Sequence, residues 1–112
     1  MNWLALDVGG ANIKASNGNG FALARSFAMW RSPAELPRAL SDVVRAAPDC
    51  DALAVTMTGE LADCFATKAE GVQSILSAVD RAAEGREVAV YCTDGRWRDP
   101  AEACREYLLA SA

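Results

Sequence analysis

Leu4-Ala5-Leu6-Asp7-Val8-Gly9-Gly10-Ala11-Asn12-Ile13-Lys14 is the stretch on which the fold turns. An apolar strand runs into an aspartate, two glycines and a polar turn, and a lysine follows as the chain comes back. Glycine lacks a Cβ, so the main chain can bend sharply and bring its amides close to a ligand. An ionised aspartate offers only acceptors and suits a hard cation such as Mg²⁺, often through water. The stretch points to a phosphate and its metal ion, met at the end of a strand.

The flanking residues extend the pattern into a sheet. Residues from about Trp3 to Val8 predict one strand and Asn12 to Ser16 a second. Asn17-Gly18-Asn19-Gly20 is a hairpin turn, because Asn and Gly tolerate positive φ, and Phe21 to Ala28 predicts a third strand antiparallel to the second. The period then changes. Ser32-Pro33-Ala34-Glu35 reads as a capping box, with Ser as cap, Pro in the first turn and Glu three residues on. Leu36, Leu40, Val43, Val44 and Ala47 continue as one face of a helix, with Pro37 delaying its regular start and Pro48 ending it.

Asp51 to Thr58 predicts a fourth strand, followed by a polar loop from Gly59 to Ala66. Thr67-Lys68-Ala69-Glu70 caps a second helix carrying Val72, Ile75, Leu76 and Val79 inward, and Gly85 closes it. Glu87 to Cys92 predicts a fifth strand and Thr93-Asp94-Gly95 a turn. Asp99-Pro100-Ala101-Glu102 caps a last helix, with Ala103, Cys104, Tyr107 and Leu108 facing inward. Strands that alternate with helices add in parallel by right-handed crossovers. The expected α/β fold is a mixed five-stranded sheet, strand order 3-2-1-4-5, flanked by helices in the order βββαβαβα.

Composition bounds the function. At 112 residues the chain is expected to form one domain with a real core. The formal net charge of −4 lacks the basic stripe of a general nucleic-acid binder, so no nucleic-acid partner is expected. No apolar run approaches the roughly 18 residues of a membrane span, and no basic segment leads into an apolar signal core. A cytoplasmic protein is expected. Cys50, Cys64, Cys92 and Cys104 form no Cys-x-x-Cys, and the chain has no histidine, so small buried thiols are expected rather than a zinc set.

The element order is that of the ribonuclease-H-like core. Asp7-x-Gly9-Gly10 with Lys14 on the returning strand resembles the first phosphate motif of the superfamily that holds actin, Hsp70 chaperones and sugar kinases. Asp7 to Lys14, together with the block from Val55-Thr56-Met57-Thr58-Gly59-Glu60 through Cys64 to Val72, resembles a hydantoinase/oxoprolinase-like family linked to tetrahydromethanopterin one-carbon transfer. Its archaeal relatives are methanofuran-biosynthesis enzymes that join an aminomethylfuran phosphate ester to a glutamyl-tyramine unit. The resemblance implies that residues 1–112 are one ribonuclease-H-like lobe of a two-lobed transferase acting on a small phosphate ligand. It further implies Mg²⁺ and ATP as ligands. The second lobe is not in this chain, so either that lobe or a homodimer partner is expected to complete the site.

In an open α/β sheet, ligands gather at the carboxyl ends of the parallel strands. Asp7 is the expected metal-organising and catalytic carboxylate, with Asp94 as a further metal carboxylate at the end of the fifth strand. The amides of Gly9, Gly10, Ala11 and Asn12 are expected to receive phosphate oxygens, with Lys14 neutralising their charge. Thr58, Gly59 and Lys68 join the phosphate set, and Glu60, in the loop after the fourth strand with Asp63, is the expected general base. Cys64 has no histidine to activate it and is expected to be structural. Arg96-Trp97-Arg98 reads as a loop packing against a partner. Two other readings stay open: a metal-dependent nuclease using Asp7, Glu60 and Asp94, and a non-catalytic assembly module that pairs through Trp97 and Trp30.

Overall fold

The computed structural model describes residues 1–110. Its strands are β1 (Trp3–Val8), β2 (Asn12–Ser16), β3 (Ala22–Ser26), β4 (Ala52–Met57), β5 (Glu87–Tyr91) and β6 (Trp97–Arg98). The helices are α1 (Leu36–Ala46), α2 (Lys68–Ala83), α3 (Pro100–Arg105) and α4 (Tyr107–Ala110). Short 3₁₀ turns at Pro33–Glu35 and Gly59–Leu61 precede α1 and follow β4.

The fold is mixed α/β with six strands, not five, in the order β3-β2-β1-β4-β5-β6. The unforeseen strand is β6, only two residues long, which no periodicity can reveal. The Thr93-Asp94-Gly95 turn, with Gly95 at φ 81°, folds Arg96-Trp97-Arg98 back so that Trp97 pairs with Tyr91 and Arg98 with Val90. What reads as a loop is therefore an edge strand. β1, β2 and β3 form the antiparallel meander, and β1, β4 and β5 run parallel.

Strict alternation along the strands sorts the sheet into two faces. Leu4, Leu6, Val8, Ile13, Leu53, Val55, Met57 and Val90 are buried and share one core with α1 and α2. Ala5, Asp7, Lys14, Ser16 and Thr56 are exposed on the other side. Among the described residues the helices cover one face only. That uncovered face carries Trp3, Tyr91 and Trp97, and Tyr91 and Trp97 meet edge to face with ring centroids 4.9 Å apart.

Local chemistry explains the helix ends. Ser32 makes no side-chain cap bond, so the expected capping box does not form there. Instead Pro33–Glu35 makes a 3₁₀ turn and α1 starts at Leu36, with Pro37 in its first turn, where a missing N–H costs nothing. Thr67 caps α2 by accepting from the Glu70 N–H at 3.1 Å, and Asp99 and Glu102 form a reciprocal capping box at α3. α2 ends through Glu84 at φ 49° and Gly85 at φ 87°. Of the four residues expected to face inward from the last helix, Leu108 is instead 65% exposed, because the helix breaks between α3 and α4 at Glu106.

Candidate functional site

The turn between β1 and β2 sits at the carboxyl end of the central strand. The Gly9 N–H donates to the Asn12 carbonyl at 2.9 Å and closes the turn on itself. A Cβ on Gly9 would sit 3.0 Å from that carbonyl, so a larger residue there would force the turn to give by a few tenths of an ångström. Gly9 thus spends its amide inside the turn, unlike the role expected of it. A Cβ on Gly10 would meet nothing within 4 Å. Among the described residues the Gly10 and Ala11 amides find no protein acceptor. Those two N–H groups are the unspent donors of the turn, and both residues line an open cleft.

Two neighbouring segments hold this turn. After β3 the chain wraps over it, with Phe27 N–H donating to the Ala11 carbonyl at 2.8 Å and Met29 N–H to the Gly10 carbonyl at 3.0 Å. The Gly10 and Ala11 carbonyls are thus both engaged, while their amides are not. From β4, Thr58 N–H donates to the Val8 carbonyl at 3.0 Å, and Gly59 comes so close that a Cβ there would lie 3.1 Å from the Gly9 carbonyl. Met29 is fully buried and its carbonyl accepts from the Cys64 thiol at 3.3 Å. Burial pushes the Cys64 thiol upward, with nearby Asp63 and Glu70 adding to the rise. Such a thiol is a poor nucleophile at neutral pH, as expected of a structural cysteine.

Asp7 lies opposite Lys14 on β2 and opposite Thr56 on β4. The Thr56 hydroxyl donates to Asp7 Oδ1 at 3.4 Å. All three side chains are on the uncovered sheet face and line a cavity of about 530 Å³, together with several alanines and Trp97. A separate open cleft of about 380 Å³ is lined by Gly10, Ala11, Trp30, Thr58, Leu61, Ala62 and Asp63. The predicted site residues are therefore divided between two adjoining surfaces. Asp7 and Lys14 flank the sheet face, and the turn amides and Thr58 form the cleft.

Three predicted residues stand apart. Glu60 is buried, 3% exposed, in the 3₁₀ turn under α2. A Cβ on Gly71 would lie 2.8 Å from the Glu60 Cα and Cβ, so the helix is pressed against it. Lys68 is exposed in the first turn of α2. Asp94 is gripped by Arg98 at 2.9 and 2.7 Å. This two-point hydrogen bond, helped by the Arg96 amide, holds the Asp94 carboxyl down to about 2. β5 is separated from β1 by β4, about 10 Å across the sheet, too far for one ion to span. Among the described residues no three His, Cys, Asp or Glu side chains gather as a metal site, and no helix is long and apolar enough to cross a membrane.

Sequence reasoning missed the wrap of Phe27 to Ser32 over the turn, which rests on backbone hydrogen bonds with no side-chain signature. It also missed Gly71, whose need is set by a contact with a residue far along the chain. Leu61 was unmarked, although an exposed leucine beside a glycine turn is a visible signal.

The site is thus a glycine turn at the end of a central strand of a mixed α/β sheet, with a carboxylate and a lysine paired across the strands. No protein-family model matches the chain. Among characterised proteins it is similar to the (4-{4-[2-(gamma-L-glutamylamino)ethyl]phenoxymethyl}furan-2-yl)methanamine synthase of Methanocaldococcus jannaschii, with 36% identity over 112 residues. That match takes in 97% of this chain and 33% of the synthase, so the chain spans about a third of the length of this relative.

Proposed function

We propose that this chain is the phosphate-binding lobe of a methanofuran-pathway transferase that acts on a furan phosphate ester. The observation that carries the reading is the 36% identity, running along 97% of the chain, to a synthase whose product is a furan methanamine. The unspent amides of Gly10 and Ala11 support it, since they offer donors to phosphate oxygens at the carboxyl end of β1. Membership of the hydantoinase/oxoprolinase-like and actin-like superfamily, with its ribonuclease-H-like lobe, belongs to the same proposal. The run β3-β2-β1-β4-β5 agrees with it.

The chemistry asked of these residues is electrostatic. The Gly10 and Ala11 amides hold the phosphate in the cleft, and Lys14, on the separate sheet face, contributes positive charge at longer range. Asp7, exposed and beside the Thr56 hydroxyl, is the carboxylate that would hold a Mg²⁺. Such an ion supplies charge neutralisation at the phosphate, whether of ATP or of the ester. Asp94 is committed to Arg98 and does not complete that site. The same facts weigh against a carboxylate-cluster nuclease, because Glu60 is buried and Asp94 is occupied. The second lobe, or a second copy, would pack where the sheet is uncovered, around Trp3, Tyr91 and Trp97. A cytoplasmic location goes with the reading.

The test is calorimetry of the chain with furfuryl phosphate and with ATP, each with and without Mg²⁺. Mg²⁺-dependent binding of one of them is expected. No binding of either under any condition overturns the proposal.

A further inference from the structure

We infer that the cleft between Trp30 and the Leu61–Asp63 segment is a ring subsite, in which Trp30 and Leu61 select phosphate esters that carry a flat aromatic group. The inference rests on the phosphate reading of the Gly10–Ala11 turn and adds the residues that choose what the phosphate is attached to.

The first observation is exposure in a rigid frame. Trp30 is 55% exposed and Leu61 56% exposed, while their neighbours Met29 and Glu60 are buried at 0% and 3%. Neither segment is loose. Met29 N–H is fixed to Gly10, Arg31 and Ser32 N–H donate to the Ala28 carbonyl at 3.1 Å, and Leu61 and Ala62 N–H donate to Thr58 and Gly59 at 3.2 and 3.1 Å. The fold thus holds two large, exposed apolar residues at the lining of one cleft. Packing of the core gives no reason for this.

The second observation is what lies between them. The same cleft is lined by Gly10 and Ala11, whose amides donate to no backbone carbonyl, and by Thr58. The volume, about 380 Å³, lies within the usual range of small-molecule clefts, about 300–1,000 Å³. Unspent amides and apolar side chains in one lining match a ligand with an anionic end and a flat hydrophobic body. The Arg31 guanidinium lies 4.8 Å from the Trp30 ring centroid, so the indole is held on one side by a cation–π contact. A pre-set indole loses little freedom when a second ring stacks on it, and such stacking adds to the gain from area burial. Asp63, also in the lining, disfavours a second anionic group on that ring.

The test compares phenyl phosphate with methyl phosphate on the full chain by calorimetry. The native chain is expected to bind phenyl phosphate about tenfold more tightly. Trp30→Ala and, separately, Leu61→Ser are expected to erase that preference while methyl phosphate affinity holds, and Trp30→Phe to restore most of it. Circular dichroism of each variant confirms that it is folded; both side chains are more than half exposed, and Leu61→Ser carries the test should Trp30→Ala unfold. Equal affinity of the native chain for the two esters overturns the subsite and leaves the phosphate reading standing. A preference for phenyl phosphate that survives both substitutions overturns the assignment to Trp30 and Leu61. Binding of neither ester overturns both readings.

Discussion

A Cβ placed on Gly71 would lie 2.8 Å from the Cα and Cβ of Glu60 and 3.0 Å from its carbonyl oxygen. Helix α2 is therefore seated directly on the main chain of the 3₁₀ turn that follows β4. That turn in turn presents Gly59 to the Gly9 turn and Leu61 to the cleft. The contact links a helix packing position to the candidate site.

Gly71→Ala tests that seating. Alanine gains about 1 kcal/mol of helix propensity. Overpacking costs about 1–3 kcal/mol, and here the obstacle is backbone, which cannot rotate away, so the upper part of that range, about 2–3 kcal/mol, applies. The expected outcome in urea denaturation is a net loss of about 1–2 kcal/mol. A variant as stable as the native chain would mean that α2 shifts at no cost.

Gly9 and Gly10 separate folding from binding. A Cβ at Gly9 meets the Asn12 carbonyl at 3.0 Å, so Gly9→Ala is expected to destabilise the chain. A Cβ at Gly10 meets nothing within 4 Å, so Gly10→Ala is expected to be neutral or to gain about 0.4–1 kcal/mol through the unfolded state. Its methyl stands where a phosphate would approach, and methyl phosphate affinity is expected to fall severalfold. Thermal melting and calorimetry on the two variants check both halves.

Asp94 sets an acid-stability signature. The unfolded carboxyl takes its proton near 3.8, while the Arg98 hydrogen bonds keep the folded one ionised to about 2. The unfolded chain binds more protons across that window, so stability rises with pH there. This contribution is whole above the ordinary value and is lost as pH falls through about 2. Asp94→Asn is expected to show a shallower drop in melting temperature between those values. The pair is solvent-accessible, so the difference is small. Identical profiles would remove the pair from the account.

Much of the sheet was legible because alternation and turn residues are local. Leu4, Leu6 and Val8 alternate with exposed residues, and Asn17 to Gly20 can hardly be anything but a hairpin. Val72, Ile75, Leu76 and Val79 of α2 are buried as their spacing predicts. β6 was not legible, because two residues carry no period and its pairing depends on a turn. Nor was the division of the site. Asp7 and Gly10 are three residues apart, yet strand pleating turns Asp7 to the open sheet face while the turn carries Gly10 into the cleft. Glu60 read as a loop acid because the sequence does not show that Gly71 brings α2 down upon it.

The central claim is that the Gly10–Ala11 turn binds phosphate. Its most direct test is a ¹H–¹⁵N correlation spectrum of the labelled chain titrated with methyl phosphate in the presence of Mg²⁺. The account predicts saturable downfield shifts of the Gly10 and Ala11 amides, with the Gly9 amide, already bonded to Asn12, moving less. Saturation with those two amides unmoved, or the largest shifts elsewhere on the chain, would contradict it.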